Sequence, residues 1–232
     1  MHVFHITPAV WMLCFHVGQA YIARLPDGWA LIDTGPPGYA PKILDALRDL
    51  GAAPGDLREI VLTHSHVDHT GSAAPLAAAT GARVLAGTAD ADVIRGHRPE
   101  TPPVLLDWEI PLHASLPPDI HTAVAPPCPV DRELHDGDTL DWGEDVRVLH
   151  VPGHTAGGIA LHLPTSGVLF TGDTIANDPR PILGVFNVDR RQAIDSFHRQ
   201  AALDTDTACF GHGAPLTGGA GAALRAAGAG LN

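Results

Sequence analysis

The chain has 232 residues, 45% of them apolar, enough for a sizeable core in one large domain or two small ones. That excludes a disordered or fibrous chain. A formal net charge of −12 repels phosphate backbones and argues against general nucleic-acid binding.

In chain order, residues 3–34 read as β-structure, with short apolar or alternating runs at 3–6, 19–23 and 29–33 and a turn signal at Pro26-Asp27-Gly28. Apolar residues at Ile43, Leu44, Leu47 and Leu50 give a helical period over 42–50, stopped by Gly51. Residues 59–62 form a short buried-type strand, 72–80 an Ala- and Leu-rich helix ending at Gly81, 83–86 a strand and 89–94 a short helix. This alternation implies a layered α/β architecture. Residues 97–131 differ, with nine prolines, and read as an ordered insertion, either a cover for the active site or a plain surface excursion. Strands return at 146–150, 159–162, 168–170 and 208–210, with a helix over 189–203 capped by Asp189 and a weak terminal helix over 218–229. Two halves of similar content suggest two β-sheets packed face to face with helices outside, and 1–232 is expected to be a single domain.

Fifteen histidines against two tyrosines and two methionines direct attention to metal chemistry, since imidazole is the commonest protein ligand for transition metals. Four potential ligands crowd into Thr63-His64-Ser65-His66-Val67-Asp68-His69, directly after a buried-type strand. In extended backbone, side chains at i and i+2 leave the same face, so His64 and His66 can grip one ion. Asp68 and His69 sit where the chain turns toward the next helix and can point at a neighbouring ion. Packing alone gives no reason to crowd three imidazoles and a carboxylate this way. Three later segments, Pro152-Gly153-His154-Thr155, Thr171-Gly172-Asp173-Thr174 and Gly211-His212-Gly213, share one format: apolar strand, glycine, metal-type residue. The glycine lets the backbone turn sharply beside an ion.

THSHVDH, PGHT, TGDT and GHG, in this order and at these intervals, resemble the metallo-β-lactamase superfamily over nearly the whole chain, including the early Leu31-Ile32-Asp33-Thr34-Gly35 run. The resemblance implies an α/β fold, the four-layer αβ/βα sandwich of two packed mixed β-sheets flanked by helices. It implies that His64, His66 and His154 hold one metal, that Asp68, His69 and His212 hold a second, and that Asp173 bridges them. Asp33 matches a family aspartate that supports the site from behind. The cofactors implied are two zinc ions, with iron or manganese as alternatives, and the chemistry is hydrolysis by a bridging hydroxide, with Asp68 orienting it or shuttling its proton.

The substrate is less legible. The glyoxalase II branch shares all seven ligands but adds a helical C-terminal domain, and only about twenty residues follow His212 here. Acyl-homoserine lactonases carry a tyrosine where this chain has Ala176, and the tRNA-processing branch expects a basic extension. The expectation is therefore a hydrolase of small-molecule esters, thioesters or lactones. Alternatives are phosphodiesterase or β-lactamase activity, or a persulfide dioxygenase-like oxidoreductase with one iron on His64, His154 and Asp173. A non-catalytic scaffold is the third class, disfavoured because no ligand is missing. His2, His5, His16, His97, His113, His121, His135, His150, His162 and His198 read as structural or solvated, with His113 and His121 the exceptions if the insertion folds over the metals. Cys14, Cys128 and Cys209 show no paired spacing and read as isolated thiols. With no leader-like N-terminus and no run near 18 apolar residues, a cytoplasmic protein without membrane or nucleic-acid partners is expected, its oligomeric state open and a homodimer one option.

Overall fold

The computed structural model describes residues 1–231, which fall into two units: Met1–Glu100 with Pro118–Leu134, and Thr101–Pro117 with the residues from His135 onward. The proline-rich stretch is thus shared, its 101–117 part belonging to the second unit and its 118–131 part to the first.

The first unit is built on one sheet in which β1 (His2–Thr7), β2 (Val10–Cys14), β3 (Gln19–Leu25), β4 (Gly28–Ile32), β5 (Leu57–Leu62), β6 (Arg83–Gly87) and β7 (Arg132–Leu134) lie in that order. The β1–β4 pairings are antiparallel and the β4–β7 pairings parallel. β3 is buried except at Arg24, and β5 except at Arg58, which is the near-continuous apolar reading of strands covered on both faces. Its helices are α1 (Ala40–Asp49), the single turn α2 (Val67–Thr70), α3 (Ala73–Thr80), α4 (Thr88–Ile94) and, after the chain has passed through α5 (Glu109–Ala114) of the second unit, α6 (Pro118–Thr122). Ile43 and Leu47 of α1 and Leu76 of α3 join Leu13, Ile22, Leu31, Ile60 and Leu62 in one core. Burial of each such side chain contributes roughly 1.5–3 kcal/mol.

The second unit is built on the order β15 (Leu216–Thr217), β14 (Thr207–Cys209), β11 (Val168–Phe170), β10 (Ile159–Leu163), β9 (Asp145–His150), β8 (Thr139–Asp141), with β12 (Ile175–Asn177) and β13 (Pro181–Leu183) as a separate pair. Helices α7 (Arg190–Ala201) and α8 (Ala220–Gly228) bring Phe197 and Leu224 against Leu149, Leu169, Ile175 and Phe210. Asp189 caps α7 as expected: its side chain accepts from the backbone N–H of Gln192 at 3.0 Å.

Both sheets place their loops for chemistry. β4, β5 and β6 are adjacent and parallel, so their carboxyl ends share one edge, where open α/β sheets bind ligands. That edge carries Asp33, then the 63–69 loop, then α4. In the second unit β9 and β11 are each antiparallel to β10, and β14 is parallel to β11, so β9, β11 and β14 all run the same way. His154, Asp173 and His212 follow those three strands and leave from the same edge.

Candidate functional site

In the first unit the site is organised by Asp33. Its φ of 60° is left-handed, a conformation that aspartate tolerates better than bulkier residues. Asp33 is 3% exposed; its Oδ1 accepts from the backbone N–H of Thr63 at 2.7 Å, and its Oδ2 accepts from Thr63 Oγ1 at 2.7 Å and from His69 Nδ1 at 2.9 Å. Thr63 Oγ1 gives its one proton to Asp33, so its 3.0 Å contact with His64 Nδ1 requires the imidazole to donate. A single carboxylate thus fixes His64 and His69 with the proton on Nδ1 and the lone pair on Nε2, the form that ligates a metal.

His66 is extended (φ −62°, ψ 149°) and the chain then turns into α2 with Asp68 and His69, but His64 lies in the bend over residues 63–65 rather than in the extended run expected for the pair. The His64 ring lies 4.8 Å from that of His66 and 4.2 Å from that of His69, and His69 Nε2 is 3.5 Å from Asp68 Oδ2. Three imidazoles and a carboxylate this close supply nitrogen and oxygen donors of the kind a transition-metal ion takes, whereas protonated rings at that spacing would repel. Two supports were not evident from sequence. Asp90, 2% exposed at the start of α4, accepts from the Ser65 N–H at 3.0 Å. Gly18, with φ of 72°, backs onto Asp68, where a Cβ would stand 3.2 Å from Oδ2. Burial, then the carboxylates of Asp68 and Asp90, push Glu100 up to about 7; a cation held by Asp68 would draw it back down.

In the second unit His154 donates from Nδ1 to the Val185 carbonyl at 3.1 Å, which again turns Nε2 toward a ligand. Its Nε2 lies 3.6 Å from Asp173 Oδ2, and His212 Nε2 lies 3.1 Å from the same oxygen. Two imidazole nitrogens converging on one carboxylate is what a bridging ligand needs. A left-handed glycine precedes the donor at two of the three places. Gly153 has φ of 129° and Gly172 φ of 56°, but after β14 it is Gly213 (φ 91°), beyond the histidine, that is left-handed. A Cβ on Gly153 would sit 2.1 Å from the Ala193 backbone nitrogen. Gly153→Val is therefore expected to lower stability by about 2–4 kcal/mol, through backbone strain and overpacking combined. Chemical denaturation measures this, and an unchanged midpoint would contradict it.

The seven donors fall four to the first unit and three to the second: His64, His66, Asp68 and His69, and His154, Asp173 and His212. Several histidines read as structural have ordinary partners: His162 Nε2 meets the Asp204 carbonyl at 3.1 Å, His150 Nε2 meets that of Ala156 at 2.9 Å, and His16 pairs with Asp119 at 2.8 Å. Burial pushes the Cys209 thiol up, and burial with Asp131 pushes Cys128 up to about 11, so neither is a nucleophile at neutral pH.

The family model of the metallo-beta-lactamase superfamily matches residues 15–212. The chain belongs to the metallo-β-lactamase superfamily. That superfamily has the α/β sandwich as its fold, and the mixed sheets and flanking helices described above are of that class. Among relatives, the hydroxyacylglutathione hydrolase of Cereibacter sphaeroides (strain ATCC 17025) is 37% identical over 161 residues, 67% of this chain and 48% of that one. The chain spans about half the length of the curated relatives it matches. Among solved structures, a metallo-β-lactamase of Cronobacter sakazakii with a HARLDQ motif is 24% identical, with a TM-score of 0.71 over 91% of this chain and 80% of that chain. TTHA1623, solved in a di-iron-bound form, is 28% identical, with a TM-score of 0.67 over 91% of this chain and 95% of that chain. Among the described residues, no helix of this superfamily member is long and apolar enough to cross a membrane.

Proposed function

We propose that this protein is a dinuclear metal-dependent hydrolase of small-molecule acyl compounds, with thioesters first among esters, thioesters and lactones. The observation that carries the reading is the orientation of Nε2 atoms within each unit: Asp33 and Thr63 fix His64 and His69 in the first, and Val185 fixes His154 in the second. In this reading His64, His66 and His154 hold one ion, Asp68, His69 and His212 hold the other, and Asp173 joins them. Five imidazoles and two carboxylates suit zinc; the di-iron form of TTHA1623 makes iron the second choice. Such a pair, when bound, lowers the pKa of a water molecule and polarises a carbonyl oxygen.

The chain's own groups do the rest. Asp33 and Val185 keep the ligand rings from rotating, so binding costs little reorganisation. Asp68, with a side chain 13% exposed, takes the proton of the attacking water at a carboxylate oxygen and passes it to the leaving thiol or alcohol as the acyl–sulfur or acyl–oxygen bond breaks. The name hydroxyacylglutathione hydrolase, carried by the relatives, favours the thioester.

The test is a panel of thioester, ester, lactone, phosphodiester and β-lactam substrates on zinc-reconstituted protein. Highest kcat/KM is expected on a thioester, and turnover confined to phosphodiesters or β-lactams would overturn the acyl assignment. A single iron with oxygen uptake in place of hydrolysis would favour the persulfide dioxygenase-like reading instead. His66→Ala removes one donor nitrogen and is expected to lose metal and activity together; full turnover in that variant would count against the mechanism.

A further inference from the structure

Glu109 opens α5 and is only 2% exposed, a rare placement for a carboxylate unless it is fully hydrogen-bonded. Its two oxygens are both used. Oε2 accepts from the Leu106 N–H at 2.9 Å, and Oε1 accepts from the Phe186 N–H at 3.1 Å. The Phe186 N–H and the Val185 C=O belong to one peptide group, whose two dipole ends point in opposite directions. One end is held by Glu109, and the other receives Nδ1–H of His154 at 3.1 Å. Phe186 itself has φ of 59°, a left-handed conformation that a bulky residue keeps only when its surroundings enforce it. The enforcement is visible: besides Glu109, the His113 ring meets Phe186 edge-on at 5.1 Å, the Asn187 side chain donates to the Gly184 carbonyl at 2.6 Å, and Val104 N–H donates to the Asn187 carbonyl at 2.9 Å.

We infer that Glu109 is a positioning residue for His154, acting through the 185–186 peptide group, and that it ties the 101–117 segment to the metal centre; this rests on the reading of His154 as a ligand. A carboxylate at the N–H end fixes the plane of the peptide and polarises its carbonyl, and hydrogen bonds in series strengthen one another. The carbonyl then fixes the His154 tautomer and ring direction. The segment 101–117 is thereby a fixed wall, its His113 ring packed edge-on against Phe186, rather than a cover that swings freely.

The test uses Glu109→Gln, whose amide can accept one of the two N–H bonds but presents its own N–H to the other. In metal-free protein, the ring-nitrogen NMR shifts of His154 are expected to show the proton on Nδ1 in the wild type and a mixture of the two tautomers in the variant. In zinc-loaded protein, one of the two ions is expected to leave to a chelator about 10–100-fold faster, the range for loss of such outer support, while the other leaves at the wild-type rate. Phe186→Gly relieves the left-handed strain, so Glu109→Gln is expected to change less in that background. An unchanged tautomer with unchanged zinc release would overturn the inference. So would faster loss of both ions in step with a lowered melting temperature, the mark of a merely structural residue. If the wild type bound no zinc, the ligand reading would fall, and the tautomer comparison would still decide the role of Glu109.

Discussion

Asp33→Asn is expected to weaken both metal ions by about 100-fold, because outer-shell partners of ligating histidines typically cost 10–100-fold in affinity. Asp33 accepts from Thr63 N–H and Thr63 Oγ1 and from His69 Nδ1, and through Thr63 it also sets His64. His64 and His69 belong to different ions in the proposed centre, so one substitution reaches both. Asparagine keeps the shape and the tolerance for a left-handed backbone, but its amide group turns N–H against N–H at one oxygen position. Leaving a buried donor unmatched costs about 1–3 kcal/mol, so the melting temperature of the metal-free protein should fall as well. Calorimetric zinc titration and thermal melting check the two effects. Wild-type zinc affinity in Asp33→Asn would show that the histidines need no holding.

Asp173→Asn is expected to have the largest effect on catalysis. His154 Nε2 and His212 Nε2 stand 3.6 and 3.1 Å from the same Oδ2 atom, and that carboxylate is the one ligand proposed to touch both ions. A neutral amide removes the charge that offsets two neighbouring cations, so bound zinc should fall from two equivalents toward one. A drop in kcat/KM of about 1,000-fold, or roughly 4 kcal/mol of transition-state stabilisation, is expected. The metal-free fold should change by only about 1 kcal/mol, since the side chain fills the same volume. Two retained equivalents of zinc with a thousandfold loss of turnover would move Asp173 from bridge to some other role.

Much of this was legible in the residues. The strands beneath the site announced themselves by apolar runs, the α7 helix by its Asp189 cap, and the 63–69 cluster by metal-type side chains that packing alone gives no reason to crowd. What was not legible has physical reasons. β2, Val10–Cys14, is buried on both sides and hides in a longer β-rich reading because it lacks alternation. Nine prolines disguised α5 and α6, yet Pro118 opens α6, where a missing N–H costs nothing, and Pro111 falls within the first turn of α5. Thr63 and Asp90 hold the histidine loop through contacts between residues 25 to 30 positions apart, which no local pattern reports. The Val185 partner of His154 is a backbone carbonyl, and every residue has one. The glycine format said nothing of Gly213, the left-handed glycine just beyond His212, where a Cβ would meet the Asn177 carbonyl oxygen at 2.0 Å.

All of the proposed chemistry depends on four donors from one unit and three from the other acting as a single paired centre. Titration of metal-free protein with zinc, following bound metal and thioester hydrolysis in the same sample, tests that dependence most directly. The account predicts saturation at two equivalents per chain, with turnover absent before zinc is added and complete when both places are filled. Saturation at zero or one equivalent, or full turnover in the metal-free sample, would contradict it.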